Sequence, residues 1–403
     1  MIIKPRTRGF ICTTAHPDGC AAQVQQQIDY IASKPRLEGP KNVLVIGAST
    51  GYGLSARIAA AFGAGAATVG VYRPSKSTAT RTASAGWYNS AAFERKAAEA
   101  GLRSFSVTGD AFSDETKAAA VKVIREELGQ VDLVVYSVAS ARRVNPKTGE
   151  AVNSVLKPIG ASYTNKTVNF HTGEVSEVTI DPATEEEVAA TVEVMGGEDW
   201  QLWIDALSEG GVLAEDATTI AYSYIGPDLT QPIYREGSIG RAKDHLEDTA
   251  LRIGERLSPG GGRAFVSVSK ALVTQSSSAI PVVPLYVSVL YKIMQEKGLH
   301  EGCIEQTHRL FADRLYGGGE VPVDEQGRIR IDDWEMRGDV QQEVADIWAR
   351  ISSDNIDELS DLAGYRKEFF QLFGFETEGV DYEADSDPQA GMPESSLRRV
   401  DSE

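Results

Sequence analysis

A chain of 403 residues, 42% hydrophobic and 24% charged, is long and apolar enough for one large α/β domain or two smaller ones. Its net charge of −18 argues against nucleic acid and anionic membranes as partners, so an anionic substrate would need a local basic patch. The three cysteines (Cys12, Cys20, Cys303) and five histidines show no metal-ligand spacing, and so sparse a cysteine content suits a reducing cytoplasm.

The N-terminal "MIIKPRTRGF" lacks the apolar run of a signal peptide. Residues 23–34 read as a helix. "KNVLVIGAST" (41–50) is a buried strand entering a glycine-rich turn, 55–66 a helix and 67–72 a second strand. A helix at 90–101, a strand at 102–110, a helix at 113–129 opened by a capping box at Ser113, and a strand at 131–139 continue the alternation. Such alternation predicts a doubly wound parallel sheet. Residues 142–180 break the rhythm and read as a β-hairpin insertion. A helix at 184–207, strands within 218–226 and 263–275, helical pattern over 281–315, a short extended piece at 321–332 and helices at 339–351 and 362–374 follow. The apolar stretch 279–294 is too short, and too broken by two prolines, to span a bilayer. The polar end, 385–403, reads as a flexible tail on a single domain, 1–403.

Gly47, Gly51 and Gly53 stand between a strand and a helix, where bare backbone lets a pyrophosphate approach a helix N-terminus. This marks 41–140 as a dinucleotide-binding core. After the second strand an acid would bond a ribose 2′-hydroxyl, but Tyr72, Arg73 and Pro74 stand there, which favours NADPH. Asp110 follows the third strand, where this fold class bonds adenine. Tyr234 and Lys243, in "YREGSIGRAK", lie nine residues apart. At about 100° per residue one helix would put them on opposite faces, so Tyr234 must precede a helix N-capped by Ser238, with Lys243 in its second turn. From spacing alone they could equally be unrelated surface residues. "YIASK" offers a second pair, Tyr30 and Lys34, but it precedes the first core strand and reads as structural.

The stretches "RGFICTTAHPDGC", "VLVIGASTGYGL", "AGWYNSAAFE", "VMGGEDWQLWIDAL" and "TQSSSAIPVVPLY" together resemble the FabV-type enoyl-[acyl carrier protein] reductases, which include trans-2-enoyl-CoA reductases. The family signature Tyr-x8-Lys is met by Tyr234 and Lys243. The resemblance implies an enlarged Rossmann-like fold, a monomer, NADH as coenzyme, an enoyl-CoA or enoyl-acyl carrier protein as substrate, and a place in fatty-acid synthesis. It implies that Gly47, Ser49, Gly51, Tyr52 and Gly53 form the dinucleotide turn. Asp110 and Ala111 would flank adenine, and Ser137, Val138 and Ala139 would line the nicotinamide-ribose side. Tyr224 would be a second active-site tyrosine. Thr274 would touch nicotinamide and substrate from a substrate-binding loop and helix at 270–300. The family usually reads Phe-Phe-Glu after the second strand; Arg73-Pro74 replaces its Phe-Glu, which leaves room for NADPH or dual use.

On this reading Tyr234 bonds the developing enolate, and Lys243 favours its phenolate and holds the coenzyme ribose. Lys4, Arg6 and Arg8, or Arg142, Arg143 and Lys147, are candidate patches for the anionic carrier. A carbonyl-reducing short-chain dehydrogenase and a non-catalytic nucleotide sensor are the competing functions.

Overall fold

The computed structural model describes residues 1–400 except Phe10 and Ala79. Strands β1 (Thr7–Arg8) and β2 (Ile11–Cys12) form a minimal antiparallel pair ahead of α1 (Pro17–Ala32). That helix starts on a proline, whose missing N–H costs nothing at this position. The βα alternation then runs through β3 (Asn42–Ile46), α2 (Gly51–Ile58), β4 (Ala67–Tyr72), α3 (Ala85–Glu99), β5 (Ser104–Thr108), α4 (Asp114–Val123) and β6 (Val131–Tyr136). At α4 Ser113 accepts from the Thr116 N–H, but Thr116 occupies the third helical position and has no carboxylate to return, so the expected capping box is half made.

The break in rhythm after β6 contains two hairpins where the sequence suggested one. They are β7 (Arg142–Val144) with β8 (Ala151–Asn153), and β9 (Tyr163–Asn169) with β10 (Glu174–Ile180). The helix expected over 184–207 is two, α5 (Glu185–Met195) and α6 (Glu198–Glu209). They part at Gly196–Gly197, where a Cβ on Gly197 would fall 2.2 Å from Thr249 Oγ1; only glycine allows the following helix layer so close. The chain continues through β11 (Leu213–Ser223), α7 (Ser238–Leu257), β12 (Arg263–Val268), α8 (Val283–Glu296), α9 (Cys303–Arg309), β13 (Ile329–Arg330), α10 (Gly338–Arg350), α11 (Ile356–Leu359), α12 (Leu362–Gln371) and β14 (Leu397–Arg399).

Eight strands form one parallel sheet in the order β13-β12-β11-β6-β3-β4-β5-β14. Alternation along β3 sends Val43 and Val45 to one apolar layer and Leu44 and Ile46 to the other. All four are fully buried, as expected of a parallel strand covered on both faces. The first layer packs against α1, α2 and α9; the second packs against Trp200 and Trp203 of α6 and Leu246 and Ile253 of α7. A third apolar cluster joins α8, α10 and α12 to β9. The segment read as a flexible tail is docked: β14 adds a strand beside β5, and the Val400 N–H bonds Thr108 O at 3.1 Å. Residues 401–403 of that segment lie outside the described residues. Among the described residues no helix is long and apolar enough to cross a membrane.

Candidate active site

Parallel strands end together at one sheet edge, and the loops leaving them form a crevice there. At the ends of β3, β6, β11 and β12 that crevice is a cavity of about 370 Å³. The turn after β3 supplies Gly47, Gly51 and Tyr52 to it, and the loop after β6 supplies Ser137, Val138 and Ala139. Gly47 has φ +86°, and a Cβ there would lie 2.1 Å from Ser137 O, so these two loops touch backbone to backbone. Thr50 ends the turn without a side-chain cap, which leaves the first N–H groups of α2 for an anion. Ser49 and Gly53 shape the turn without reaching the cavity. Ser49 O accepts from Asn89 Nδ2 at 3.2 Å, and a Cβ on Gly53 would meet Gly47 O at 2.1 Å.

Tyr234 precedes α7 and Lys243 lies in its second turn, and both line the cavity together with Tyr224 and Thr274. The N-cap of α7 is Gly237, not Ser238. Ser238 is the first helical residue, and its hydroxyl is taken by Val155 O (2.6 Å) and the Lys157 N–H (3.2 Å), tying α7 to the insertion. The Tyr234 ring stands edge-on to Tyr224, centroids 4.8 Å apart. Burial, with the charge of Glu335 added, holds the Tyr234 phenol well above its ordinary pKa. At rest Tyr234 is therefore a phenol. Burial lowers Lys243 to about 8, against an upward pull from Glu247. Its ammonium donates to Tyr222 O at 3.1 Å, and this is its one protein hydrogen bond among the described residues. Thr274 folds its own loop: Oγ1 accepts from the Ser277 N–H at 3.1 Å.

The remaining predicted positions lie along the same sheet edge, outside the cavity lining. Tyr72, at the end of β4, is buried with its hydroxyl 3.9 Å from Met392 Sδ. Arg73 pairs with Asp110 at 3.1 Å. The Ala111 carbonyl is held by Trp203 Nε1 (3.0 Å) and by Lys117 Nζ (3.2 Å), which also pairs with buried Asp199. Tyr30, on α1, and Lys34, two residues past its end, form a cation–ring contact away from the cavity. In the second proposed basic patch Arg143 is buried against Glu198 and Lys147 pairs with the same carboxylate, which leaves Arg142 exposed. In the first, Lys4 is paired with Glu383.

The sequence reading missed Tyr222, Lys270 and Glu335. Tyr222 stacks on Tyr52 at 5.1 Å and keeps a buried hydroxyl that makes no well-formed hydrogen bond among the described residues. Buried Lys270, whose only cue was a lone lysine in "FVSVSKALV", lines the cavity, and its carbonyl accepts from Tyr52. Fully buried Glu335 accepts from Tyr224 at 3.0 Å; no local pattern announces a partner 111 residues away.

Three family models tile the chain: the catalytic region of trans-2-enoyl-CoA reductase over 81–316, its NAD(P)H binding domain over 2–79, and an enoyl reductase FAD binding domain over 323–386. The chain belongs to the trans-2-enoyl-CoA reductase family. The enoyl-[acyl-carrier-protein] reductase [NADH] of Flavobacterium johnsoniae is 63% identical over 386 residues, 96% of this chain and 98% of the relative. The trans-2-enoyl-CoA reductase of Clostridium acetobutulicum, solved in complex with NADH, superposes with a TM-score of 0.94 at 46% identity, covering 96% of this chain and 98% of that one. The Treponema denticola trans-2-enoyl-CoA reductase, solved with NAD, gives 0.92 at 50% identity, with coverage of 96% and 98%.

Two coenzymes follow from those family descriptions, and the residues fit one of them. The cradle at Gly47, the uncapped start of α2 and the buried hydroxyls of Tyr222 and Ser223 suit a dinucleotide. Residues 323–386 do not suit a flavin. Val340, Val344, Ile347, Leu362, Tyr365 and Phe369 are spent in the apolar core, and Leu372 alone of the described residues in the stretch reaches the cavity. In this member of the reductase family that stretch packs the core and sets Glu335 behind Tyr224.

Proposed function

We propose that this chain reduces the 2,3-double bond of trans-2-enoyl thioesters, carried on coenzyme A or on acyl carrier protein, with NADH. The observation that carries the reading is the meeting of Tyr234, Tyr224 and Lys243 with the glycine turn in one cavity. When bound, the nicotinamide supplies a hydride to the substrate β-carbon. Gly47, Gly51 and Tyr52 would hold the pyrophosphate end, and Ser137, Val138, Ala139 and Thr274 the nicotinamide end. Arg73, Asp110 and Ala111 would stand at the adenosine. Tyr234 donates a hydrogen bond to the thioester oxygen as negative charge develops there, a stabilisation that grows only along the reaction path. Lys243 keeps two N–H groups for the ribose hydroxyls, and below pH about 8 it adds a positive charge. Tyr224 completes the polar end of the cavity.

NADH rather than NADPH is proposed because the relatives named above carry NADH or NAD, and because Asp110 already engages the Arg73 guanidinium that would receive a 2′-phosphate. The cavity is complete within one chain, which supports a monomer, and three free cysteines suit a reducing cytoplasm. The test is oxidation of NADH dependent on crotonyl-CoA. Turnover is expected; its absence with every enoyl-CoA and enoyl-carrier-protein substrate would remove the reading.

A further inference from the structure

Behind the two cavity tyrosines lies a carboxylate that the reaction as described does not use. Glu335, between β13 and α10, is 0% exposed. One oxygen accepts from both Tyr224 (3.0 Å) and Tyr286 (2.6 Å), and the other accepts from the Ala271 N–H (2.7 Å). Gln341 Nε2 donates to Tyr286 at 3.2 Å and to the Glu335 carbonyl at 2.7 Å, fixing the group from its far side. Burial raises the Glu335 carboxyl above its ordinary pKa, while the Tyr286 hydroxyl, the Lys270 charge and the Ala271 N–H pull the other way, toward the carboxylate that these donors require.

A phenol carries one proton. With the Tyr224 proton committed to Glu335, the Tyr224 oxygen can offer the cavity only lone pairs. The Tyr234 hydroxyl has no protein partner among the described residues, although its ring stands edge-on to Tyr224. We propose that Glu335 is a positioning residue for the reduction: it captures the Tyr224 proton, so that Tyr224 faces the cavity as an acceptor and Tyr234 alone donates to the thioester oxygen. This rests on the enoyl-reductase reading above.

Glu335→Gln tests it at nearly constant volume. An amide has one oxygen, which the Ala271 N–H requires, so the NH2 group turns to the tyrosines and drives the Tyr224 proton into the cavity. The expected result is a fall in kcat of about tenfold with crotonyl-CoA, while KM for NADH stays within about twofold. In a Tyr224→Phe background the same substitution should change nothing further. Tyr286→Phe loosens the carboxylate from outside the cavity and supports the same conclusion if Glu335→Gln folds poorly. It should cost about threefold in kcat with Tyr224 present and nothing in Tyr224→Phe. Equal losses in both backgrounds, or a KM for NADH that rises in step with the loss of kcat, would overturn the positioning role and leave Glu335 a structural residue. A wild-type enzyme that turns over no enoyl thioester would instead remove the underlying reading, and the proposal with it.

Discussion

Tyr234 and Lys243 have opposite electrostatic problems, and each predicts a distinct experiment. Tyr234 is a buried phenol whose proton is held more tightly than usual, which suits a donor that must not ionise before charge reaches the substrate. Tyr234→Phe should lower kcat by about 10²–10³ while NADH binding, followed by fluorescence, is retained. Lys243 is a cation at neutral pH and loses its charge above about 8. The alkaline limb of kcat/KM for NADH should therefore fall near pH 8, and Lys243→Arg, which stays charged, should flatten it. Stability moves the other way. The folded lysine titrates below its ordinary 10.5, so between about 8 and 10.5 the unfolded chain binds the extra proton. The contribution of this residue to stability then rises with pH, which separates loss of activity from unfolding. Arg73 poses a third question. Asp110→Asn frees its guanidinium, and the ratio of kcat/KM for NADPH to that for NADH should rise by about fivefold, the worth of one exposed charge pair of about 1 kcal/mol. An unchanged ratio would remove Arg73 from the choice of coenzyme.

Among the elements, the β3–α2 turn leaves the least room for change. Gly47→Ala meets Ser137 O at 2.1 Å and also takes a left-handed backbone. Gly101→Ala, at φ +68° with nothing within 4 Å, takes only the backbone penalty. Denaturant titration should give about 3 kcal/mol or more for Gly47→Ala, with loss of NADH binding, against about 1 kcal/mol for Gly101→Ala with binding intact. This turn was legible in the sequence because strand, glycines and helix are contiguous, so their spacing encodes their geometry. The same is true of the other early βα units. The break at Gly196–Gly197 was less visible: the helical pattern runs through it, and the reason for the glycines is Thr249, on another helix. For Tyr234 and Lys243 the local pattern gave their placement, one turn and one helix, but their pairing came from the resemblance to the family signature. Glu335 was not, because its three acceptor contacts come from residues 49 to 111 positions away.

The molecule as a whole holds its site in the middle of a sheet and closes the sheet with its last described strand. A polar, acidic C-terminal composition reads as frayed because local pattern cannot show that β5 lacks a neighbour. In the fold that vacancy is filled: Leu397, Arg398 and Arg399 pair with Ser106, Val107 and Thr108. Arg398 also reaches Glu127 at 3.1 Å and lies over the Phe105 ring, while Val400 packs on the apolar layer beneath. An uncovered parallel edge is a template for association with other chains. Deleting residues 394–403 should therefore cost about 1–3 kcal/mol in denaturant titration and increase light scattering on warming. The catalytic cavity lies at β3, β6, β11 and β12, with β4 and β5 between it and the lost strand. So kcat with crotonyl-CoA should stay within about twofold of the full chain, and any loss should appear first in KM for NADH, because Thr108 leads directly into Asp110. A truncated enzyme as stable and as soluble as the full chain would mean that β14 covers the edge without contributing to the fold.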